Sequence, residues 1–308
     1  MAKILVSGSI AYDYLYTFPG IFQDQLMLSS KDALSVAFNV TGKTVNFGGC
    51  AGNIAFNAKS LGEDFILLGI AGKDFKEYRE WMSQNDIETN GVIIEDKEYT
   101  AQASVVTDQK GQQITVFYEG AAAKSAKYAA KIKKAIKSQK DDISFAIVSP
   151  NNRDFMMASI EACVENQIPF FFDPGQAMPL FKPEELLEIV KKSIGVFLNE
   201  YEFDLLAQKL KIGDEQLHKL TRITVVTLGK KGSNIWFNGN EINIKPVKPE
   251  NIVDPTGCGD AYRAGFLIGI QEGFAKLTPE VLERAGNLGS KVASTCLQVS
   301  GTQNHAAI

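Results

Sequence analysis

Histidine, tryptophan and cysteine are scarce in this sequence. Its 308 residues include two histidines, two tryptophans and four cysteines, and no two cysteines lie close together in the chain. This scarcity argues against a zinc cluster, a Cys-x-x-Cys redox pair and a histidine-rich transition-metal site. Widely spaced cysteines are typical of a reducing compartment, and the first residues lack the apolar stretch of a signal peptide. We therefore expect a cytoplasmic location.

Long apolar runs, a strong excess of one charge and a P-loop are also lacking. No stretch approaches the ~20 apolar residues that a transmembrane helix needs. The 32 basic and 36 acidic residues leave a net charge of −4, which argues against an extended contact with nucleic acid. The pattern G-x-x-x-x-G-K-[ST] does not occur, which excludes a P-loop nucleotide site. The expected partners are small molecules, with neither a membrane nor a nucleic acid among them.

The order of the predicted elements indicates an α/β protein. Strand and helix patterns alternate over the C-terminal two-thirds of the chain, which predicts a central, mostly parallel sheet with helices on both faces. Two segments, at about 12–47 and 98–120, instead alternate apolar and polar residues, as strands with one exposed face do. We interpret these segments as a small β-sheet lid inserted in a single domain that covers residues 1–308.

A segment near the C-terminus carries the strongest signal for chemistry. Residues 254–262 read DPTGCGDAY, a loop with two glycines that opens an apolar helix. The N–H groups at a helix N-terminus attract anions, so a phosphate group is the expected guest. The carboxylate of Asp260 beside it suits a base that accepts the proton of an attacking hydroxyl group. The local pattern alone is equally consistent with a helix cap formed by this aspartate.

Two earlier segments have the chemistry to hold a small polar ligand. Residues 47–55 read FGGCAGNIA, in which Gly49 permits a close backbone approach and the Asn53 amide both donates and accepts hydrogen bonds. Asp13 follows the first predicted strand, where its carboxylate can accept hydrogen bonds from two vicinal hydroxyl groups. Taken alone, the FGGCAGNIA segment is also consistent with a turn from a strand into a helix, and Asp13 with a solvated turn residue.

Together, these segments resemble the signatures of the PfkB/ribokinase family of carbohydrate and nucleoside kinases. They occur in the family's order, although Cys258 stands where the family usually has alanine. The resemblance covers essentially the whole chain and implies a ribokinase-like fold with Asp260 as the catalytic base. The residues that would bind the sugar are Asp13, Gly49 and Asn53. The residues whose N–H groups would form an anion hole are Gly257, Cys258 and Gly259.

The resemblance also implies ATP and Mg²⁺ as cofactors. The sequence NEYE at 199–202 matches the family's N-x-x-E element, which helps to place magnesium and phosphate through water, but a capping box explains the same spacing. Residues 227–232 read TLGKKG and resemble the family's turn at the ATP site. The residues expected at ATP are Asn199, Thr227, Gly229, Gly232 and, facing the adenine from a late helix, Asn287. Glu202 is expected at Mg²⁺, through water.

Several details resemble the bacterial adenosine/nucleoside kinase branch of the family, among them GSIAYD at 8–13 and GTQNH at 301–305. This resemblance implies ATP-dependent phosphorylation of the 5′-hydroxyl group of a nucleoside, with adenosine preferred. A nucleoside needs a flat apolar slot for its base, and the lid segments supply Phe38, Gln102 and Phe117 for it.

Two alternatives stay open at this point. One is a ribokinase- or fructokinase-like sugar kinase, which would not need the apolar slot. The other is a catalytically silent member that binds nucleosides. The sequence also leaves open ATP against GTP, a requirement for a monovalent cation, and a monomer against a lid-mediated homodimer. It assigns no role to Arg263 or His305.

Overall fold

The strands form two separate sheets. The structure is a computed structural model that describes residues 2–26 and 36–306. Within those residues the large sheet has nine strands and the small sheet has four. In chain order the strands are β1 (Lys3–Ser7), β2 (Ala11–Thr17), β3 (Gly42–Gly48), β4 (Phe65–Gly72), β5 (Val92–Glu95), β6 (Ala101–Thr107), β7 (Gln113–Tyr118), β8 (Ile143–Val148), β9 (Phe170–Phe172), β10 (Gly195–Asn199), β11 (Ile223–Thr227), β12 (Ser233–Phe237) and β13 (Asn240–Ile244).

Helices connect most of the strands of the large sheet, and none in the described part of the chain is both long and apolar enough to cross a membrane.

In chain order the α-helices are α1 (Phe22–Leu26), α2 (Cys50–Ser60), α3 (Lys76–Gln84), α4 (Ser125–Ser138), α5 (Arg153–Glu165), α6 (Pro183–Lys192), α7 (Glu200–Leu210), α8 (Asp214–His218), α9 (Cys258–Gln271) and α10 (Pro279–Cys296).

The large sheet is parallel except at one edge. Its strand order is β13-β12-β11-β10-β9-β8-β1-β4-β5, and each neighbouring pair from β11 to β5 is parallel. The hairpin β12–β13 joins β11 in the antiparallel direction, as its short turn requires. The prediction of a mostly parallel sheet with helices on both faces is thus confirmed.

The strands of the large sheet divide their side chains between two apolar cores. In β1, Ile4 and Val6 pack into the core on one face, and Leu5 packs into the core on the other. Phe171 of β9 likewise faces one core, and its two neighbours face the other. Successive side chains of a strand point to opposite faces, so a continuous apolar run marks a strand that is buried on both sides.

The small sheet is built from the two segments that were predicted to form it. Its order is β3-β2-β6-β7, with β2 and β6 parallel and the outer pairs antiparallel. The first segment also contains the short helix α1, which the sequence pattern did not predict. The Asp108 carboxylate, from the second segment, accepts the Phe22 N–H at 3.1 Å and so supports this helix from across the sheet.

Two helices carry the residues of the glycine-containing segments. Helix α2 begins at Cys50, three residues before Asn53, and α9 begins at Cys258, two residues before Asp260. A glycine with positive φ precedes each of them, Gly49 at 85° and Gly257 at 76°. Glycine adopts this conformation without steric cost, which lets the chain turn sharply into the helix.

Candidate active site

The candidate site lies at the carboxyl edge of the large sheet. Asp173 directly follows β9, Asn199 ends β10, and Thr227 ends β11 as the register partner of Asn199. Parallel strands end at the same edge, and open α/β sheets bind their ligands outside these ends. The fold therefore brings residues from distant parts of the sequence to one place.

The residues of the predicted anion cradle lie at the N-terminus of α9. Gly257 precedes the helix, and a Cβ atom there would lie 2.6 Å from Cγ2 of Thr302, so a larger residue does not fit. Cys258 and Gly259 occupy the first turn, where backbone N–H groups have no acceptor within the helix. The helix dipole makes this end attractive to anions. The structure thus brings Gly257, Cys258 and Gly259 together at one helix end.

Asp260 lies in the same first turn and is half-buried. Its Oδ2 accepts a hydrogen bond from Nδ2 of Asn53 at 2.9 Å. Burial raises the pKa of Asp260, whereas the charge of Arg263 and the hydrogen bonds from Asn53 and Cys50 lower it. A carboxylate whose pKa is raised is a better proton acceptor than a solvated one, which suits a general base.

Arg263 follows one turn after Asp260 and forms an ion pair with Asp173. Its Nη2 donates to Oδ1 of Asp173 at 2.8 Å, and the two side chains are only 12% and 1% exposed. Burial raises the pKa of Asp173, and the arginine opposes this rise. Sequence reasoning assigned neither residue to the site. The available signal was the spacing of Asp260 and Arg263, which places both on one side of a helix.

The Gly48–Gly49 turn packs tightly against residues 9–13, which follow β1. A Cβ atom at Gly49 would lie 2.6 Å from the carbonyl oxygen of Ser9, and one at Gly48 would overlap Oδ2 of Asp13. The Tyr78 hydroxyl donates to the carbonyl oxygen of Gly48 at 2.8 Å and holds the turn in place. These glycines therefore allow a close approach between two parts of the chain, and their approach to a ligand stays a prediction.

Asp13 lies near enough to Asp260 for the two negative charges to interact. Burial and the negative charges of Asp260 and Asp254 raise the pKa of Asp13 to about 6. Its strand partner in β3 is Asn46, which is buried. The structure thus brings Asp13, Asn53 and Asp260 together, as a sugar site next to a base requires.

Asn199 and Glu202 form the capping box that the sequence allowed as an alternative. Oδ1 of Asn199 accepts the N–H of Glu202, and Oε2 of Glu202 accepts the N–H of Asn199, both at 2.8 Å. The charge of Glu202 also raises the pKa of both Asp173 and Asp260, so its carboxylate lies near these two residues. The cap and a role at the site are therefore compatible.

The donor set fits a loosely held magnesium ion. Within residues 2–26 and 36–306, no group of three or more His, Cys, Asp or Glu side chains forms a metal cage. Magnesium does not need such a cage, because it keeps several waters and binds one or two carboxylates together with phosphate oxygens. Glu202, whose charge acts on both Asp173 and Asp260, offers an oxygen ligand of this kind near the N-terminus of α9.

The turn at 227–232 lies beside Asn199, since Thr227 is the register partner of that residue. The N–H of Leu228 donates to the carbonyl oxygen of Gly232 at 2.8 Å, and both Gly229 and Gly232 have positive φ. The residue expected to face the adenine, Asn287, is exposed on α10. Its neighbour Gly286 packs on Ile244 of β13. These contacts put Asn287 near the hairpin that follows the turn.

The three residues expected to line a base slot are not brought together. Phe117 shares the Asp13 face of the small sheet, since Asp13 pairs with Ala103 and Ala103 pairs with Phe117. Gln102 pairs with Tyr12 and therefore points to the opposite face. Phe38 packs edge-on against the rings of Phe18 and Phe22, beyond the far end of β2. Of the three, Phe117 has the placement that a base slot requires.

Three side chains of the C-terminal segment 301–305 pack against α2 at the site, although the sequence analysis assigned none of them a role there. Thr302, Gln303 and His305 are buried. Thr302 and Gln303 contact the Asn53 amide oxygen, and Nε2 of His305 lies 2.9 Å from Oδ1 of Asn57. The signal available was the unusual content of the segment, which puts three polar residues in a row before a histidine.

Residues 3–307 of the chain match the model of the pfkB family carbohydrate kinases. The chain belongs to this family, whose members are phosphotransferases that act on a hydroxyl group of a sugar or nucleoside. The family resemblance predicted from the two glycine-containing segments is confirmed.

Within the family, the chain is similar to proteins named nucleoside kinases. One from Methanothermobacter thermautotrophicus is 33% identical over 266 residues, which are 84% of this chain and 80% of that protein. The solved structure of the Burkholderia thailandensis nucleoside kinase in complex with inosine has a TM-score of 0.84 and 32% identity, and the match covers 99% of this chain and 93% of that one. The Methanocaldococcus jannaschii nucleoside kinase, an archaeal member of the ribokinase family, gives a TM-score of 0.83 and 27% identity, over 99% and 95% of the two chains. The ribokinase-like fold is thus confirmed.

Proposed function

We propose that this protein transfers the γ-phosphoryl group of ATP to the 5′-hydroxyl group of a nucleoside, with adenosine preferred. The observation that carries the proposal is the position of Asp260, which lies at the anion-attracting end of α9 and near enough to Asp13 for their charges to interact. The similarity to nucleoside kinases supports it, since the Burkholderia thailandensis kinase has been solved both with inosine and as an ADP-inosine complex.

In this proposal the acceptor sugar is held between Asp13 and Asn53. The carboxylate accepts hydrogen bonds from vicinal ribose hydroxyl groups, and the amide donates to a ribose oxygen. The Gly48–Gly49 turn packs directly against Ser9 and Asp13 and so holds the strand that carries Asp13 next to the helix that carries Asn53. A free sugar and a nucleoside would use these contacts alike.

Asp260 acts as the general base. It accepts the proton of the 5′-hydroxyl group while the hydroxyl oxygen forms a bond to the γ-phosphorus of ATP, and the bond from that phosphorus to the bridging oxygen of ADP breaks. The N–H groups of residues 257–259 stabilise the charge of the transferring group. Mg²⁺, when bound, neutralises charge on the phosphate oxygens, and Glu202 and Asn199 would hold it through water.

Phe117 favours a nucleoside over a free sugar. Its ring is 59% exposed, on the face of the small sheet that also carries Asp13. Two strand spacings, about 10 Å, separate the two residues across the sheet. Covering an exposed aromatic ring removes apolar surface from water, which is favourable, and the ring can stack on a purine. The small sheet would cover the bound nucleoside and exclude water, which competes as a phosphoryl acceptor.

The experiment that tests the proposal measures ADP release from ATP–Mg²⁺ with adenosine, inosine, cytidine, ribose and fructose offered separately. We expect turnover with a nucleoside, highest with adenosine, and little with the free sugars. Phe117→Ala should raise the KM for adenosine about tenfold, because one stacking contact is lost. Val116→Ala is the matched control, since Val116 is 65% exposed on the opposite face of the sheet. Turnover with ribose or fructose alone would reject the nucleoside specificity.

A further inference from the structure

A chain of buried and partly buried hydrogen bonds joins α3 to Asp260 through the C-terminal segment. Nε1 of Trp81 donates to Oε1 of Gln303 at 3.2 Å, and Nε2 of Gln303 donates to Oδ1 of Asn53 at 3.0 Å. Asn53 in turn donates through Nδ2 to Asp260 at 2.9 Å. Gln303 and Asn53 are only 2% and 5% exposed. We call these four residues the polar relay.

The chemistry of its two ends fixes the direction of the relay. An indole N–H can only donate, so Gln303 presents its oxygen to Trp81 and its NH₂ group to Asn53. Asn53 meets that donor with its amide oxygen, and its own NH₂ group is left to face Asp260. An ionised carboxylate can only accept, so Asp260 requires the same direction of hydrogen bonding that Trp81 imposes.

Thr302 and Tyr78 reinforce the same arrangement. Oγ1 of Thr302 lies 2.7 Å from Oδ1 of Asn53 and 3.0 Å from the carbonyl oxygen of Phe47. Since both neighbours are acceptors, the hydroxyl group is the donor. Nε2 of Gln303 also donates to the Tyr78 hydroxyl at 2.6 Å. The single hydroxyl proton of Thr302 goes either to Asn53 or to Phe47, so the bond that the Asn53 amide would lose by turning over is the one from Gln303.

The backbone of segment 301–305 is held from two sides. Oδ2 of Asp254 accepts the N–H of Gly301 at 3.1 Å, and Oδ1 of the same carboxylate accepts the N–H of Thr256 in the loop before α9. His305, at the other end of the segment, contacts Asn57 of α2. The segment therefore links the loop that carries the anion cradle to the helix that carries Asn53.

We propose that Gln303 and Thr302 are positioning residues, which hold the Asn53 amide so that it donates to both Asp260 and the substrate. The inference rests on the proposed function and deepens it. With its amide oxygen held by Gln303 and Thr302, Asn53 can offer the ribose only an N–H group. Asp13 then supplies the hydrogen-bond acceptor for the ribose. The inference also makes the C-terminal segment a functional part of the site.

Gln303→Glu tests this directly. The variant keeps the shape of the side chain but replaces the NH₂ group with an acceptor, which the amide oxygen of Asn53 would avoid by turning over. Asp260 would then face an oxygen, which disfavours its ionised form. We expect the acidic limb of the pH profile of kcat, at saturating adenosine, to move up by about one pH unit, and kcat at pH 7 to fall about tenfold or more.

The same shift should be visible without turnover. Titration of the Asp260 carboxyl carbon by ¹³C NMR in the ligand-free protein reports the pKa directly. The other titratable groups that interact with Asp260 are the same residues in the variant, and they are Cys50, Asp13, Tyr78, Asp173, Glu202, Cys258, Arg263 and Cys296. If the wild-type protein phosphorylates no nucleoside, the proposed function fails, and this titration still decides the relay.

Asn304→Asp is the matched control. It makes the same change from amide to carboxylate one residue further on, in an exposed side chain whose Nδ2 only contacts the carbonyl oxygen of Ser300. We expect it to behave as the wild type. The relay is rejected if Gln303→Glu titrates and turns over as the wild type does, or if Asn304→Asp shifts the Asp260 pKa as strongly. Because Gln303→Glu also brings a negative charge near Asp260, the neutral variant Trp81→Phe, which removes the donor at the start of the relay, is measured as well. It must also shift the pKa upward, by a smaller amount, and an unchanged pKa would reject the relay.

Discussion

Asn53 and Asp260 meet through a 2.9 Å hydrogen bond although 207 residues separate them in the chain. Each lies in the first turns of a helix that begins after a glycine with positive φ, α2 after Gly49 and α9 after Gly257. The bond therefore joins the two glycine-containing segments into one site. The residue proposed to bind the ribose also holds the residue proposed to take its proton.

Asp13→Asn should stabilise the protein and weaken substrate binding. The pKa of Asp13 is about 6 in the folded chain, against an ordinary value of 3.8. The folded chain thus binds more protons than the unfolded chain between these values, so its stability falls as the pH rises from about 4 to 7. Replacing the half-buried carboxylate removes this cost, and we expect a gain of about 1–3 kcal/mol at pH 8.

Urea unfolding at pH 5 and pH 8 checks this prediction, together with adenosine binding by calorimetry. The gain should be larger at pH 8 than at pH 5, and binding should weaken at least ~10-fold, since an amide cannot accept from two hydroxyl groups as a carboxylate does. A variant that is less stable than the wild type at pH 8 would contradict the electrostatic explanation.

Arg263→Met should destabilise the protein strongly, because it leaves the Asp173 carboxylate buried without its partner. The expected loss is about 3–5 kcal/mol in the free energy of unfolding. The double variant Asp173→Asn/Arg263→Met removes both charges and should recover at least half of that loss. Denaturant unfolding of the two single variants and the double variant provides the measurement. Strictly additive losses would show that the pair does not act as a unit.

Gly49→Ala should lower the free energy of unfolding more than Gly62→Ala does, because Gly62 has open space around it. Both Gly49 and Gly62 have positive φ, at 85° and 83°, so alanine is strained at either position, by about 1–2 kcal/mol. At Gly49 a Cβ atom would also lie 2.6 Å from the Ser9 carbonyl oxygen, whereas no atom lies within 4 Å at Gly62. We expect Gly49→Ala to lose at least ~2 kcal/mol more stability than Gly62→Ala, by overpacking. Equal losses, measured by thermal unfolding, would show that the close approach can relax.

The large sheet and the two loops that carry chemistry were predictable because their signals are local. A run such as Phe170–Phe172 marks a strand buried on both faces, and glycines next to Asp260 or Asn53 mark a turn into a helix. Each signal lies within a few residues and needs no knowledge of what packs against it.

The remainder depended on contacts between distant residues. Gln102 points away from Asp13 because of the register between β2 and β6, and a shift of one residue would have put it on the other face. Helix α1 is supported by Asp108, 86 residues away. The role of Gln303 follows from Trp81 and Asn53, which no local pattern connects to it.

The most direct test of the account is the rate of phosphoryl transfer to adenosine by Asp260→Asn, compared with the wild type at saturating substrates. The amide keeps the shape of the side chain but cannot take the proton of the 5′-hydroxyl group. We expect kcat to fall by about 10²–10⁴, with adenosine binding changed only a few-fold. A variant that turns over at nearly the wild-type rate would remove Asp260 from the role of general base and with it the mechanism proposed for this site.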